Sequence, residues 1–412
     1  MPRQSASRRR VSTTLVLVLL AVELIDELVF GVRNAAWPMM RADLQLTYEQ
    51  IGVLLSLPTI VGGLIEPAIG ILGDTSRRRA LLIGGGVVFA CSVAATALVD
   101  GWIALLTAFA AFNPASGAFV GLSQATLMDL EPERREQNMA RWVVAGSLGI
   151  AAGTSLVTVL ARVNGTWRHA FLVLGLISAA TVLAVIRVKA AAPQRDVASG
   201  ALAPDLRAGA REALRTLARS DVRRWLILLE CSNMMMDVLG SFLALYIVDV
   251  AGGTAVQAAA SVALFTGVGL AGDALLIPLL ERVNGLRYLR ASVLLSLIVF
   301  PALLMVPSLP AKFVLIAALA LLNSGWYSIP QARLYDVMPN QSGTVMTLAN
   351  TFGLIAALVP LALGAVAQRV GLAPTMWLLL IGPLALLVGL PRRMKSARAV
   401  KRAHVRHVDF AP

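Results

Sequence analysis

Residues 124–132 read QATLMDLEP, and residues 331–339 read QARLYDVMP. The two stretches lie 207 residues apart, about half of the 412-residue chain, and agree at five of nine positions. The same offset, without a gap, aligns acidic residues with acidic residues: Glu23 with Glu230, Glu66 with Asp273, and Asp74 with Glu281. Coincidence within apolar sequence is a poor explanation for so many acidic matches. We therefore expect two related halves produced by duplication, as in many secondary transporters.

The composition indicates a membrane protein. Hydrophobic residues make up 58% of the chain and charged residues 14%, and the mean hydropathy is +0.76. The apolar runs are continuous and reach the roughly 20 residues that a helix needs to cross a bilayer, whereas membrane strands would alternate. We predict an all-α membrane protein with twelve transmembrane helices in two pseudo-symmetric six-helix bundles. The predicted helices are 11–36, 48–72, 80–99, 102–130, 138–162, 167–188, 223–249, 255–281, 287–307, 311–338, 342–369 and 372–391.

The net charge of +13 is distributed unevenly between the loops. Of the 36 Lys and Arg residues, 30 fall on the side that holds the N-terminus, the central linker and the C-terminal tail. The positive-inside rule places that side in the cytoplasm, in a plasma membrane of the bacterial inner-membrane type. The charge thus marks topology, and we expect no nucleic-acid partner. The predicted units are an N-terminal bundle (1–188), a cytoplasmic linker (189–222), a C-terminal bundle (223–391) and a cytoplasmic tail (392–412).

Two short features could suggest other interpretations. Arg8–Arg10 before an apolar stretch resembles a secretory signal, but Glu23, Asp26 and Glu27 interrupt that stretch, so we interpret it as a retained first helix. In the linker, arginines recur every four residues, which favours either a helix on the anionic inner leaflet or a solvated connector. These arginines are Arg207, Arg211, Arg215 and Arg219.

The loop after helix 2 carries a motif. It reads Gly70-Ile-Leu-Gly-Asp74-Thr-Ser-Arg77-Arg78-Arg79, and an aspartate before an arginine cluster can latch a neighbouring helix end. The motif, the helix number, the linker and the duplication resemble the major facilitator superfamily, although Thr75 and Arg77 depart from its pattern. The resemblance implies that this loop is a conformational gate. We assign to the cytoplasmic gate Gly70, Asp74, Arg78, Arg79, Asp129, Glu281 and Asp336.

Carboxylates inside predicted helices are the main candidates for function, because ionisable groups at membrane depth are costly and usually face a cavity or a partner. Helix 1 carries Glu23, Asp26 and Glu27, whose mutual repulsion favours a bound proton on at least one. The resemblance implies that helices 1, 4, 7 and 10 line a central cavity. The candidates for proton coupling and the substrate cavity are Glu23, Asp26, Glu27, Glu66, Glu230, Asn233, Asp237, Asp273, Gln124, Asn323, Trp326 and Gln331.

Several of these residues have a structural alternative. Glu66 and Asp273 could pair across the interface between the halves, and Asp129 and Asp336 could form salt bridges at helix ends. Gly146, Gly149 and Gly153 loosely resemble the helix 5 motif of antiporters in this family, but without its proline, so close helix packing explains them better. Pro114 and Pro330 can break helices 4 and 10 locally.

The function that we expect is secondary active transport, with proton-coupled efflux of a small organic compound, of which a cation is one option. The alternative is transport or flipping of a lipid-like amphiphile. We expect no enzyme, because the three histidines are peripheral and supply no catalytic set, and we expect no ATP-driven pump, because the sequence has no nucleotide-binding loop. We likewise expect no cofactor and no metal. The expected partners are the lipid bilayer, a small-molecule substrate and protons, and we expect a monomer.

Overall fold

The computed structural model describes residues 3–73, 77–130, 135–188, 215–338, 348 and 352–391. These residues are helical throughout, with short connections, and they contain no strand. The first half consists of α1 (Arg3–Leu44), α2 (Tyr48–Gly73), α3 (Arg78–Thr96), α4 (Trp102–Ser116, a π-helical turn Gly117–Gly121, and Leu122–Leu130), α5 (Arg135–Arg162) and α6 (Trp167–Arg187).

The second half repeats this order. It consists of α7 (Ser220–Asn233, a π-helical turn Met234–Val238, and Leu239–Asp249), α8 (Ala255–Arg282), α9 (Gly285–Met305), α10 (Leu309–Leu322 and Ser328–Val337), α11 (Phe352–Val370) and α12 (Leu372–Met376, Trp377–Leu380 and Ile381–Gly389). We call the end where α6 ends and α7 begins the linker end, and the opposite end, where α1 and α7 end, the Asp249 end.

Ten of these helices are long and apolar enough to cross a membrane. The other two differ for local reasons. α1 has the length but carries three carboxylates within five residues, and α10 is divided, so its apolar part Leu309–Leu322 is short. Together the twelve described helices agree with the predicted membrane fold.

The helix contacts show the predicted pseudo-symmetry. Within the halves, α3 packs on α4 and α6, and in the same way α9 packs on α10 and α12. Between the halves, α2 packs on α11, and its counterpart α8 packs on α5. The irregular segments match as well, because the π-helical turn of α4, shifted by 207 residues, falls on the break in α10. The prolines that precede or follow these segments account for the loss of regular hydrogen bonding.

One predicted boundary and two predicted positions of cations at helix ends were wrong. α1 continues to Leu44 and not to 36, because Trp37 and Met40 beyond the predicted end are still fully buried. Arg33, which the charge count placed at a helix end, therefore lies within α1. Lys312, counted in the same way, is also buried, and its Nζ donates to the Tyr246 hydroxyl and to the Leu303 carbonyl.

Around the linker, α6 ends at Arg187 and α7 begins at Ser220. Arg207 and Arg211 lie outside the described residues, so the predicted linker helix stays a prediction. Arg219 pairs with Asp221 at 2.7 Å and donates to the Val337 carbonyl at 3.0 Å, which ties the start of α7 to the end of α10.

Candidate functional site

The carboxylates of α1 lie at the contact between α1, α4 and α5. Glu23 is buried, with 7% of its surface exposed, and Asp26 Oδ1 accepts a hydrogen bond from Ser116 Oγ of α4 at 2.8 Å. α5 approaches α1 closely through its glycines. A Cβ added at Gly146 would lie 2.7 Å from Glu23 Oε1, and one at Gly149 would lie 2.9 Å from Glu27 Cβ. The glycines therefore serve close packing, and they press directly on the acidic segment.

Arg33 is the cation nearest to this cluster. Its guanidinium lies 5.2 Å from the ring centroid of Phe30 and 5.8 Å from that of Phe109, within the first bundle. It is close enough to Asp26 and Glu27 to attract both carboxylates, but Arg33 Nε is buried and has no hydrogen-bond partner. Asp26 and Glu27 thus share one guanidinium, so the cluster keeps an excess of carboxylates that can bind protons or another cation.

Glu66 and Asp273 occupy equivalent places in the two halves. Glu66 Oε1 would lie 2.9 Å from a Cβ at Gly117, in the π-helical turn of α4. Asp273 Oδ1 accepts from the backbone N–H of Gly325 at 2.9 Å, in the break of α10 where Gly325 has φ +77°. Each acid contacts the irregular segment of its own half. The suggested pairing of Glu66 with Asp273 across the halves is absent from the described contacts.

The acids of α7 lie around the π-helical turn of that helix. Glu230 accepts from Asn233 Nδ2 at 3.2 Å, one turn before Met234. Asp237 lies within the turn and is close enough to Glu27 of α1 for the two carboxylates to repel each other. The turn also frees the Met235 carbonyl, which accepts from Asn323 Nδ2 of α10 at 3.0 Å. The acids of α7 therefore flank an irregular segment that contacts α10.

A cavity of about 220 Å³ lies between the halves, next to Asp237 and Asp273. Helices α1 and α5 form its wall on one side, and α7, α8 and α10 form the other. Among the residues that the structure describes, no Lys, Arg or His lines it. The residues that line it are Phe30, Asn34, Ser147, Ile150, Thr154, Met236, Asp237, Gly240, Val262, Phe265, Thr266, Gly269, Leu270, Asp273, Ala320, Asn323 and Ser324.

Other predicted site residues lie away from this cavity. Trp326 is fully buried and donates from Nε1 to Ser292 Oγ of α9 at 3.0 Å, so its ring packs inside the second bundle. Gln124 contacts Met139 Sδ at 3.7 Å, and Gln331 Oε1 is buried without a partner. The remaining predicted residues outside the cavity wall are Glu23, Asp26, Glu27, Glu66, Glu230 and Asn233.

Sequence reasoning missed three groups of residues. Thr154 and Thr266 line the cavity but are single polar residues in apolar stretches, and Asn34, which also lines it, stands beside Arg33 without a spacing that sets it apart. Tyr327 faces Glu230 and Asp237 closely enough to interact with both charges. The third group joins the halves at the Asp249 end and combines residues from four helices.

Hydrogen bonds join the halves at the Asp249 end. Arg41 Nη1 and the Tyr48 hydroxyl both donate to Asp249 Oδ2, at 2.6 Å and 2.8 Å, and the Arg41 guanidinium lies 4.3 Å from the Tyr48 ring centroid. We call Arg41, Tyr48 and Asp249 the inter-half latch. Farther along, Gln368 Oε1 accepts from the Tyr48 N–H, and Ser56 Oγ accepts from the Leu361 N–H. Among the described residues, all hydrogen bonds between the halves belong to this set.

At the linker end the predicted gate is described in part. Asp74 lies outside the described residues, and so does the side chain of Asp129. Arg78 Nε donates to the Gly73 carbonyl at 2.6 Å, and Arg79 Nη2 donates to the Ile186 carbonyl of α6 at 3.4 Å.

The remaining gate candidates differ in their surroundings. Asp336 pairs with Arg333 of its own helix at 2.9 Å, and Glu281 is exposed at the end of α8. A Cβ added at Gly70 would meet no atom within 4 Å, so space is free beside this part of α2. Among the described residues, no group of His, Cys, Asp or Glu is suited to hold a metal ion.

Two six-helix halves around a mid-membrane cavity, with an inter-half latch at one end, define the class of secondary transporters that work between two repeats. The sequence model of the Major Facilitator Superfamily matches residues 19–360. The chain belongs to this superfamily. A comparison with curated proteins gave no match.

Solved structures share the fold at low sequence identity. A bacterial homolog of the human lysosomal transporter Spinster, inward-facing and unoccupied, matches with a TM-score of 0.71 and 15% identity over 93% of this chain and 95% of that one. The nucleoside transporter NupG matches with a TM-score of 0.69 and 14% identity, over 96% of this chain and 100% of that one. A D-xylose-proton symporter matches with a TM-score of 0.70 and 14% identity, over 94% of this chain and 98% of that one. At such identities these likenesses concern the fold alone.

Proposed function

We propose that the protein is a secondary active transporter that works by alternating access and exports a small organic compound in exchange for protons. The observation that carries this proposal is the cavity between the halves, whose described wall holds two carboxylates, Asp237 and Asp273, and no Lys, Arg or His. A proton on such a carboxylate changes the charge between the halves, and that change favours one arrangement of the halves over the other.

The conformational part of the proposal follows from topology. By the positive-inside rule, the linker end and both termini face the cytoplasm, in a plasma membrane of the bacterial inner-membrane type. The inter-half latch then closes the extracellular side. In the export cycle, the compound enters the cavity from the cytoplasm as protons leave the carboxylates. The latch then opens, the compound leaves to the extracellular side, and protons bind again. We further propose that one chain suffices, because the cavity lies between the two halves of the same chain.

A two-stage experiment tests this function. Purified protein is first screened by thermal shift against amines, drugs, sugars and lysolipids at two pH values, since a ligand that binds the folded state raises its melting temperature. A hit is then loaded into proteoliposomes with an imposed pH gradient. Accumulation that follows the gradient and collapses with a protonophore supports proton coupling. Accumulation unaffected by the protonophore contradicts it.

The second candidate is transport of a lipid-like amphiphile. The observation in its favour is the apolar part of the cavity wall, which includes Phe30, Ile150, Val262, Phe265 and Leu270. Such a wall suits an acyl chain as well as the apolar body of a drug. The same screen separates the candidates, because a shift with lysolipids but not with amines favours the amphiphile.

Breaking the inter-half latch should expose the cavity to the extracellular side. Asp249→Asn removes the charge that holds Arg41 and weakens the acceptor for the Tyr48 hydroxyl. Because the Arg41–Asp249 pair is partly exposed, we expect its loss to destabilise the arrangement with the latch closed by about 1 kcal/mol. The ratio of open to closed molecules then rises roughly fivefold. The reporter is Gly240→Cys, because a Cβ there meets no atom within 4 Å and the position lines the cavity. Labelling by an impermeant thiol reagent from outside should accelerate severalfold.

The matched control for this experiment is Asp43→Asn. Asp43 makes a similar ion pair at the same end, 3.0 Å from Arg168, but within the first half. Both variants are made in a background with Cys91 and Cys231 replaced by serine. Equal labelling rates in the Asp249 and Asp43 variants would show that the latch does not hold the halves together.

The predicted gate at the linker end is tested by access to the cavity from the cytoplasmic side. We propose that Asp74 stabilises one of the two arrangements, as the loop motif implies, so that Asp74→Asn changes the balance of inward- and outward-facing states. The measurement is the ratio of Gly240→Cys labelling from the two sides of oriented vesicles. A ratio equal to that of the parent, with lower yield of folded protein, would instead assign Asp74 a folding role.

A further inference from the structure

The charged groups on the described cavity wall are both hydrogen-bond acceptors, and several of the donors there are already occupied. The Thr154 hydroxyl donates to the Ile150 carbonyl at 3.1 Å, and Asn323 Nδ2 donates to the Met235 carbonyl. Ser324 Oγ donates to the Gly269 carbonyl at 3.5 Å. These donors are therefore occupied by backbone groups. The carboxylates of Asp237 and Asp273 remain as acceptors beside them, because the described residues form no ion pair with either.

Two buried amide oxygens add to the unused acceptors. Oδ1 of Asn34 and Oδ1 of Asn323 are both buried without a hydrogen-bond partner, although the two side chains are only 6% and 3% exposed. The orientation of Asn323 is fixed, because its Nδ2 already donates to a carbonyl. A buried polar atom left without a partner costs on the order of 1–3 kcal/mol. A ligand that brings several N–H donors would remove this cost.

The shape of the cavity limits the ligand further. Its volume of about 220 Å³ far exceeds the roughly 10–15 Å³ that one water molecule needs. Much of the wall is apolar, with Phe265, Val262 and Leu270 of α8 facing Phe30 of α1. The described residues hold no group of His, Cys, Asp or Glu suited to a metal ion, so a bare metal cation is a poor candidate. An organic cation with an apolar body satisfies both the acidic and the apolar parts.

We propose that this cavity binds a compact primary ammonium compound, with the ammonium group between Asp237 and Asp273 and the apolar body against Phe265 and Val262. An ammonium group supplies three N–H donors and no acceptor, which matches a wall of acceptors. Anionic ligands are excluded, since no cation lines the cavity. The inference rests on the proposed function in that the bound compound is the transported one, and it assigns substrate recognition mainly to the second half.

The test measures equilibrium binding to the purified full-length protein by calorimetry. Three probes share a phenyl ring and differ in charge: 2-phenylethylammonium, 2-phenylethanol and 3-phenylpropanoate. We expect the ammonium compound to bind at least about tenfold more tightly than the alcohol, because its hydrogen bonds to the carboxylates are charge-assisted. The carboxylate should not bind. Equal affinities for the three probes, or no binding of the ammonium in the millimolar range, would overturn the proposal.

Variants place the site within the cavity. Asp273→Asn and Asp237→Asn should each weaken ammonium binding about tenfold or more and leave the alcohol unaffected. Asp273→Asn keeps an oxygen that accepts from the Gly325 N–H, and folding is checked by thermal unfolding. Gly240→Leu fills the cavity without touching a carboxylate and should abolish binding of every probe. The control is Asp100→Asn, on an exposed loop. Unchanged affinity in the two Asp variants and in Gly240→Leu would refute the assignment.

The outcome of this binding experiment does not depend on whether the proposed transport function is correct. Binding is measured without a gradient, so loss of proton coupling leaves the affinities unchanged. Conversely, proton-driven transport of a compound that does not compete with 2-phenylethylammonium would refute this inference and leave secondary transport intact.

Discussion

Glu27→Gln should reduce gradient-driven transport to the level of protein-free liposomes. The substitution keeps the size of the side chain but removes its negative charge and its proton. Glu27 packs against Gly146 and Gly149 of α5, and α5 packs on α8 of the other half, so a change of charge at Glu27 bears on the contact between the halves. With a permanent neutral group at this position, protonation can no longer change the preference between the two arrangements.

The measurements separate coupling from binding. In proteoliposomes with an imposed pH gradient, net accumulation of the identified ligand should disappear, whereas exchange of labelled for unlabelled ligand at equal pH should persist. The affinity in detergent should stay close to that of the parent, since Glu27 does not line the cavity. Glu49→Gln, an exposed carboxylate at the start of α2, serves as the control. Gradient-driven accumulation equal to that of the parent in both variants would refute proton coupling through Glu27.

Gly149→Val should destabilise the first half strongly. A Cβ at Gly149 would lie 2.9 Å from Glu27 Cβ and 3.0 Å from the Leu28 nitrogen, and it would come closest to the Leu24 carbonyl oxygen. Backbone atoms cannot yield as a side-chain tip can, so α5 must move away from α1. Overpacking of this kind costs typically 1–3 kcal/mol, and we expect about 3 kcal/mol here because valine adds two methyl groups beyond the Cβ.

The comparison variant is Gly84→Val. Gly84 is exposed on α3, and a Cβ there meets no atom within 4 Å. Unfolding in mixtures of SDS and mild detergent gives the free energy of unfolding for both variants. Gly84→Val should unfold like the parent. If Gly149→Val did so too, the close approach of α1 and α5 would not be a source of stability.

The fold was predictable because its main determinants are local and repeated. The length of each apolar run predicts a helix, and the match of the stretch after Gln124 with the stretch after Gln331 predicts the two halves. The irregular segments of α4 and α10 follow in part from Pro114 and Pro330. The end of α1 was not predictable, since Arg33 reads as a helix-end cation until Phe30 and Phe109 are known to surround it.

The candidate site was predictable in composition but not in arrangement. Rare carboxylates in apolar helices pointed to Asp237 and Asp273, which do line the cavity. Sequence alone could not show that Glu23 packs on α5 or that Trp326 turns towards Ser292, because such contacts depend on the rotation of each helix. The inter-half latch was missed for the same reason. Arg41 and Asp249 are ordinary polar residues at helix ends until the fold brings them within 2.6 Å.

The acidic character of α1 has a consequence for biosynthesis. Each charged carboxylate at the centre of an isolated membrane helix costs roughly 2.5–3.5 kcal/mol during insertion, and α1 carries three. The partners that shelter them, Ser116 and the glycines of α5, are translated about a hundred residues later. α1 therefore leaves the ribosome before it has a stable place in lipid. In a nascent chain that stops before α5, the carboxylates of α1 lack these partners, so this helix is less stable in lipid than in the whole protein.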